Sequence, residues 1–230
     1  LWRNSTTVTN TMYNLTAIAS ALRLRAEVKM LILQLTDFVI PNVTLNAPVN
    51  YYNSSSREII FNVTANDETE LANVSLWTNF SGTFAINQTN SSGTNGDYLF
   101  NVTGIADGNY IWAVQAFDSS NNCNISQYRC LTVDITFPLI SFELPTPSNN
   151  AVTRITSLFV NISLTETNEK NITFYLYNIT SQVNITTLSA GSRTINWTNL
   201  ENGIYYYNVS ATDAANNINS TETRTLVIDL

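Results

Sequence analysis

The chain has 230 residues, room for two domains of ordinary size, each with a core of its own. Its formal charge of −7 argues against nucleic acid, which must be gripped by clustered cations: there are only two lysines, Lys29 and Lys170, and the eight arginines are scattered. There is no histidine, so neither a Ser-His nor a Cys-His nucleophile can be assembled.

Charged residues make up 12%, about half the share of an average soluble domain. Solubility must then come from Asn, Thr and Ser, or from something attached to them. No run of eighteen apolar residues marks a membrane-spanning helix. Paired carboxylates could still cleave a glycoside, but no motif marks a pair. The expectation is a protein that is not an enzyme and carries no cofactor.

The chain opens at Leu1 without a signal peptide, which implies either a removed leader or a piece of a longer polypeptide. Within residues 1–37, Leu22-Arg23-Leu24-Arg25-Ala26-Glu27-Val28-Lys29-Met30 alternates apolar with charged, the pattern of a strand with one wet face. The same residues also fit a helical stripe through Leu15, Ile18, Ala19, Leu22 and Ala26. Spacing favours the strand, because Asp37 stands before Pro41 as Asp134 stands before Pro138. This segment then forms an N-terminal strand-forming extension, a partial hairpin or a donor strand.

A first domain is expected over residues 38–135. Ile59, Phe61, Val63 and Ala65 fall on one face of a strand, with Asn62 and Thr64 on the other; Asn73–Trp77 and Tyr98–Thr103 alternate likewise. Turn signals lie at Asn66-Asp67, Thr94-Asn95-Gly96 and Asp107-Gly108. Over residues 136–230 the pattern returns, with Leu158, Val160, Ile162 and Leu164 inward, then Ile172, Phe174 and Leu176. Asp107-Gly108-Asn109-Tyr110-Ile111-Trp112-Ala113-Val114-Gln115-Ala116-Phe117-Asp118 recurs ninety-five residues on, with Tyr110 on Tyr205, Ala116 on Ala211, Asp118 on Asp213 and Asn121 on Asn216. A weaker copy begins at Tyr13. Repetition at this period, with seven or so short strands per copy, predicts an all-β chain of tandem immunoglobulin-like β-sandwiches. The link carrying Pro138 should be stiff, and Val227-Ile228-Asp229-Leu230 reads as a repeat boundary.

Pro41-Asn42-Val43-Thr44-Leu45-Asn46-Ala47-Pro48, Asp107-Gly108-Asn109-Tyr110 and the Val133-Asp134 or Ile228-Asp229 ends resemble the tandem Ig-like modules of archaeal and bacterial surface proteins. The resemblance covers nearly everything after residue 37. It implies an extracellular spacer, adhesin or filament role, with no single activity attached.

The strongest chemical signal is Asn-X-Ser/Thr, the N-glycosylation acceptor. It occurs at Asn4, Asn14, Asn42, Asn53, Asn62, Asn73, Asn79, Asn87, Asn90, Asn101, Asn124, Asn161, Asn171, Asn178, Asn184, Asn196, Asn208 and Asn219. Chance placement would give roughly eight such sites. Strand alternation, which puts polar residues at i and i+2, explains part of the excess, but it also turns those Asn side chains to solvent.

Cys123 and Cys130, the only cysteines, fit a cross-strand disulfide over a predicted hairpin turn. Two Cys and no His leave a four-ligand structural zinc site without its usual ligands. Acidic residues recur at equivalent loops: Asp37, Asp67, Glu68, Glu70 and Asp118, then Asp134, Glu166, Glu169 and Asp213. Converging there they could hold calcium, but the favoured reading is that Asp118 and Asp213 start Asx-turns and the glutamates are solvated, with no metal site assigned. Trp77, Trp112, Trp197 and Tyr205-Tyr206-Tyr207 could stack on carbohydrate, although core packing is the better default.

Together these features predict an extracellular, N-glycosylated structural subunit that self-associates head-to-tail into a surface filament or stalk. An adhesin or ligand-binding module and an S-layer component are the alternatives.

Overall fold

A computed structural model describes residues 37–230. All regular elements among them are strands, and no helix there is long and apolar enough to cross a membrane. The extension over residues 1–37, its alternating run and the weak copy at Tyr13 lie outside the described residues, apart from Asp37.

The first nine strands are β1 (Asn42–Ala47), β2 (Tyr52–Ser54), β3 (Ile59–Asn66), β4 (Leu71–Thr78), β5 (Ala85–Asn90), β6 (Gly96–Val102), β7 (Gly108–Asp118), β8 (Cys123–Ile125) and β9 (Arg129–Val133). They form a three-stranded sheet, β1-β3-β6, and a second sheet, β2-β9-β7-β4-β5, with β8 also paired to β7. Alternation does the work the sequence implied. Ile59, Phe61, Val63 and Ala65 of β3 are buried together with Val74 and Leu76 of β4, Phe100 of β6, and Trp112, Val114 and Ala116 of β7.

The order then repeats: β10 (Leu139–Glu143), β11 (Ala151–Thr153), β12 (Leu158–Thr165), β13 (Glu169–Asn178), β14 (Gln182–Ser189), β15 (Thr194–Trp197), β16 (Gly203–Asp213), β17 (Ile218–Ser220) and β18 (Arg224–Ile228). Their sheets are β10-β12-β15 and β11-β18-β16-β13-β14, with β17 on β16. A second core gathers Leu158, Val160, Ile162, Ile172, Phe174, Leu176, Tyr207 and Val209, with Leu164 packed at its margin. Two face-to-face sheets with these strand orders are the immunoglobulin and fibronectin type III architecture, built twice in tandem.

In each copy the first strand changes sheet. β1 pairs antiparallel with β3, whereas β2 runs parallel to β9; β10 and β11 do the same with β12 and β18. An arginine ties down the crossing chain. Arg129 donates to the carbonyls of Pro48 and Leu45 at 2.6 and 2.7 Å, and Arg224 donates to that of Pro147 at 3.0 Å.

The recurrent Gly-X-Tyr is a tyrosine corner. The Tyr110 hydroxyl donates to the carbonyl of Ala106 at 2.9 Å, and Tyr205 to that of Glu201 at 3.1 Å, each reaching back four residues. The shared Asp-X-X-Asn closes the next hairpin. Asn121 and Asn216 adopt left-handed backbone at φ 69° and 68°, which Asn tolerates better than most residues. Their amides bond the carbonyls of Asp118 and Asp213, giving a type I turn that ends in a bulge.

The expected disulfide is absent, and the register explains why. Cys123 and Cys130 do not face each other across a hairpin; β8 and β9 lie along the same edge of β7. Cys123 sits opposite Phe117 and Cys130 opposite Ile111, about 20 Å apart at 3.3–3.4 Å per residue, against the roughly 6 Å a disulfide spans. Both are free thiols.

Candidate functional site

Chemistry-bearing side chains converge at one end of each sandwich, where three segments meet: the incoming chain, the loop joining the second and third long strands, and the end of the long β7 or β16 strand. In the first copy they deliver Asp37, Asp67 and Asp118; in the second, Asp134, Glu166 and Asp213. Within each trio, one carboxylate oxygen from each residue lies within 4.8 Å of those from the other two. Asp67 and Glu166 occupy the same place, each directly following its strand, β3 or β12.

The trios are rigidly held. Asp118 and Asp213 are buried, 2% and 0% exposed, and each caps its turn: the backbone amides of Asn122 and Asn217 donate to their Oδ1 atoms at 2.7 and 2.8 Å. The Asn side chains then reach across. Asn122 Nδ2 donates to Asp118 Oδ2 at 2.7 Å and to the Asp37 carbonyl at 3.0 Å. Asn217 Nδ2 repeats this with Asp213 Oδ2 at 2.7 Å and the Asp134 carbonyl at 2.8 Å. Two residues on, Asn124 and Asn219 bond the carbonyls of Pro41 and Pro138, both at 2.9 Å. The Asp-X-X-Asn-Asn-X-Asn signature thus stitches the incoming chain to the last hairpin.

The Asx-turn reading of Asp118 and Asp213 therefore describes part of their role. Glu68 and Glu70 are exposed, as a solvated loop requires. Glu169 instead pairs with Arg193 at 2.8 Å, and that hydrogen bond holds its carboxyl below the ordinary range. Recurrence at matching loops raises convergence at one end of each sandwich as an alternative; the structure decides which carboxylates meet, leaving Glu68, Glu70 and Glu169 outside the trios.

Apart from Asn124 and Asn219, which belong to the stitched ends, the Asn-X-Ser/Thr asparagines fall elsewhere. Of those within the described residues, none is buried: Asn42, Asn87, Asn101, Asn196 and Asn219 are exposed, and Asn53, Asn62, Asn73, Asn79, Asn90, Asn124, Asn161, Asn171, Asn178, Asn184 and Asn208 are partly exposed. Asn4 and Asn14 lie outside that range. The aromatics divide between core and surface. Trp112, Trp197, Tyr205 and Tyr207 are core residues, whereas Trp77 is half-buried and stacks on Phe84 with ring centroids 5.7 Å apart.

No family model matches the chain, and no curated protein matches its sequence. Solved structures show likeness at the level of shape. The fibronectin(III)-like modules of Clostridium thermocellum CbhA are 15% identical, cover 82% of this chain and 94% of their own, and superpose with a TM-score of 0.49. The FN1-FN3 domains of chicken CNTN1 are 16% identical over 83% of this chain and 68% of theirs, with a TM-score of 0.45. A tetra-tandem repeat in the extending region of a large adhesion protein is 17% identical over 83% of this chain and 49% of its own, at 0.39. The chain's own strand order carries the fold assignment.

Proposed function

We propose that this chain is a structural spacer of the cell surface, an N-glycosylated pair of Ig-like sandwiches within a filament or stalk. The observation that carries this reading is the placement of the acceptor asparagines: across two complete sandwiches, every described Asn-X-Ser/Thr has its Asn off the core. The faces need such cover. Ile60 and Leu99 are 55% and 65% exposed, and they lie in strand register beside Asn101 and Asn62. Sugars on those asparagines would shield apolar surface that a chain with 12% charged residues can do little else to keep soluble.

Assembly would be head-to-tail, with residues 1–37 adding a strand to a neighbour. Each described sandwich already supplies both of its sheets, so addition would occur at an open sheet edge. Intact glycopeptide mass spectrometry and negative-stain microscopy of native material test the proposal. Glycans on Asn62, Asn101, Asn161 and Asn208 and extended fibres are expected, with fibres lost on deletion of residues 1–37. Unmodified asparagines on compact particles would reject it.

The adhesin reading has one observation in its favour. Tyr175 and Tyr177 of β13 hold their rings parallel within 5°, 6.3 Å apart, above a shallow groove lined by Thr173, Asn208 and Ser210. Parallel rings beside hydroxyl and amide groups suit a sugar face. Saturation-transfer NMR with oligosaccharides would detect it.

A further inference from the structure

We propose that each carboxylate trio is a calcium site, and that the second site makes the junction between the two sandwiches depend on calcium. Oxygens bound to a common calcium ion at about 2.4 Å can be no more than about 4.8 Å apart. Both trios meet that limit. All the side-chain ligands are hard carboxylate oxygens, which suits calcium and offers little to a softer metal.

A second and independent observation comes from Asp67. Its residue is 9% exposed, and Thr69 occupies Oδ1 through its amide at 3.0 Å and its hydroxyl at 2.8 Å. Oδ2 is fully buried and has no hydrogen-bond partner. Folded proteins rarely leave a charged oxygen in that state, and a cation would satisfy it. No basic side chain does so: the three ion pairs among the described residues join Arg57 to Asp107, Arg193 to Glu169 and Arg224 to Glu222. The hydrogen bonds from Asn122 and Asn217 orient the carboxylates but leave the negative charge of each trio in place.

Recurrence adds weight. The second trio replaces Asp67 with Glu166 and keeps a carboxylate there, with the Glu166 Oε1 atom capped by the Asn168 amide at 2.7 Å. Calcium tolerates six to eight oxygens in irregular geometry, so backbone carbonyls and water can complete either set; magnesium demands a near-octahedral shell. Asp134 then becomes a hinge pin. Its amide donates to the Ser54 carbonyl of the first sandwich at 2.9 Å, while its carboxylate belongs to the trio heading the second. An ion there would fix the linker to both neighbours, whether the chain serves as spacer or adhesin.

The test is isothermal titration of the chelator-stripped 230-residue chain with calcium chloride in about 150 mM sodium chloride, roughly physiological ionic strength. Two ions per chain are expected. Asp67→Asn and Glu166→Gln should each abolish one, and the double variant both, with the calcium-dependent rise in Tm lost in parallel. Magnesium at equal concentration should not displace calcium. Three results would overturn the proposal: no binding up to about 10 mM, ten times weaker than the weakest extracellular calcium modules; two ions still bound by the folded double variant; or full displacement by magnesium. Should a variant lose its strand signature in circular dichroism, the stoichiometry and magnesium competition of the unmodified chain decide the matter.

Discussion

The two sandwiches fill the same central slot with different side chains. In the first, Phe61 of β3 meets Trp112 of β7 edge-on, ring centroids 4.9 Å apart, with the smaller Leu45 of β1 packed alongside. In the second, register places Val160 where Phe61 stood, Tyr207 where Trp112 stood and Phe142 where Leu45 stood. The large side chain has moved from the β3 position to the first strand, β10, and Phe142 now meets Tyr207 at 5.5 Å. The arginine of the last strand follows it: Arg129 lies 5.7 Å from the Trp112 ring, whereas Arg224 sits 4.4 Å over Phe142. One phenylalanine is kept in the slot while its source strand changes, although Val160 and Tyr207 are smaller than the Leu45 and Trp112 they balance; cores tolerate divergence when size and pattern are roughly kept.

Polar satisfaction differs at the same point. The Tyr207 hydroxyl donates to the Pro147 carbonyl at 2.7 Å, whereas the Trp112 Nε1 atom is buried without a partner. Burial is the main influence on the Tyr207 phenol and pushes its pKa above the ordinary value.

Phe61→Ala should break this comparison most strongly, costing about 3–5 kcal/mol in the first sandwich. Val160→Ala empties less volume and should cost nearer 2 kcal/mol in the second. Calorimetry that shows equal losses would contradict the assigned division of volume. A sharper version exchanges the pair: Phe61→Val and Leu45→Phe should each destabilise alone, and together cost less than their sum.

Next in size is the stitching asparagine. Asn217 is buried and Asn122 only half-buried. Asn217→Ala strands the Asp213 carboxylate and the Asp134 carbonyl and should cost about 2–3 kcal/mol, with a smaller loss for Asn122→Ala. Urea unfolding of both variants would measure the difference.

The smallest effect is electrostatic. Glu169 and Leu71 hold equivalent places, opposite Asp213 and Asp118, so the first sandwich lacks this ion pair. Because folding lowers the Glu169 pKa, the stabilisation is complete above the ordinary value of 4.5 and is lost as pH falls through the folded value. Arg193 is a third exposed, and solvent screening holds the effect to about 1 kcal/mol or less. Melting the chain between pH 3 and 6 should show an added acid loss in the second sandwich, removed by Glu169→Gln.

Much of the fold was legible in the sequence because strand alternation has a fixed period of two. Phe61, Val63, Ile162 and Phe174 point inward wherever the strands are placed. The same period turned the acceptor asparagines outward, and the ninety-five-residue repeat announced a second copy. Pairing is another matter, since two residues near in sequence can sit on one edge or face each other across a turn. Local spacing made Cys123 and Cys130 partners, whereas the shared β7 edge holds them far apart. Sequence likewise marked the acidic residues as recurrent. Only the packing of three distant segments at one end of each sandwich decided which of them meet, because that depends on contacts up to eighty-odd residues apart, such as Asn217 to the Asp134 carbonyl.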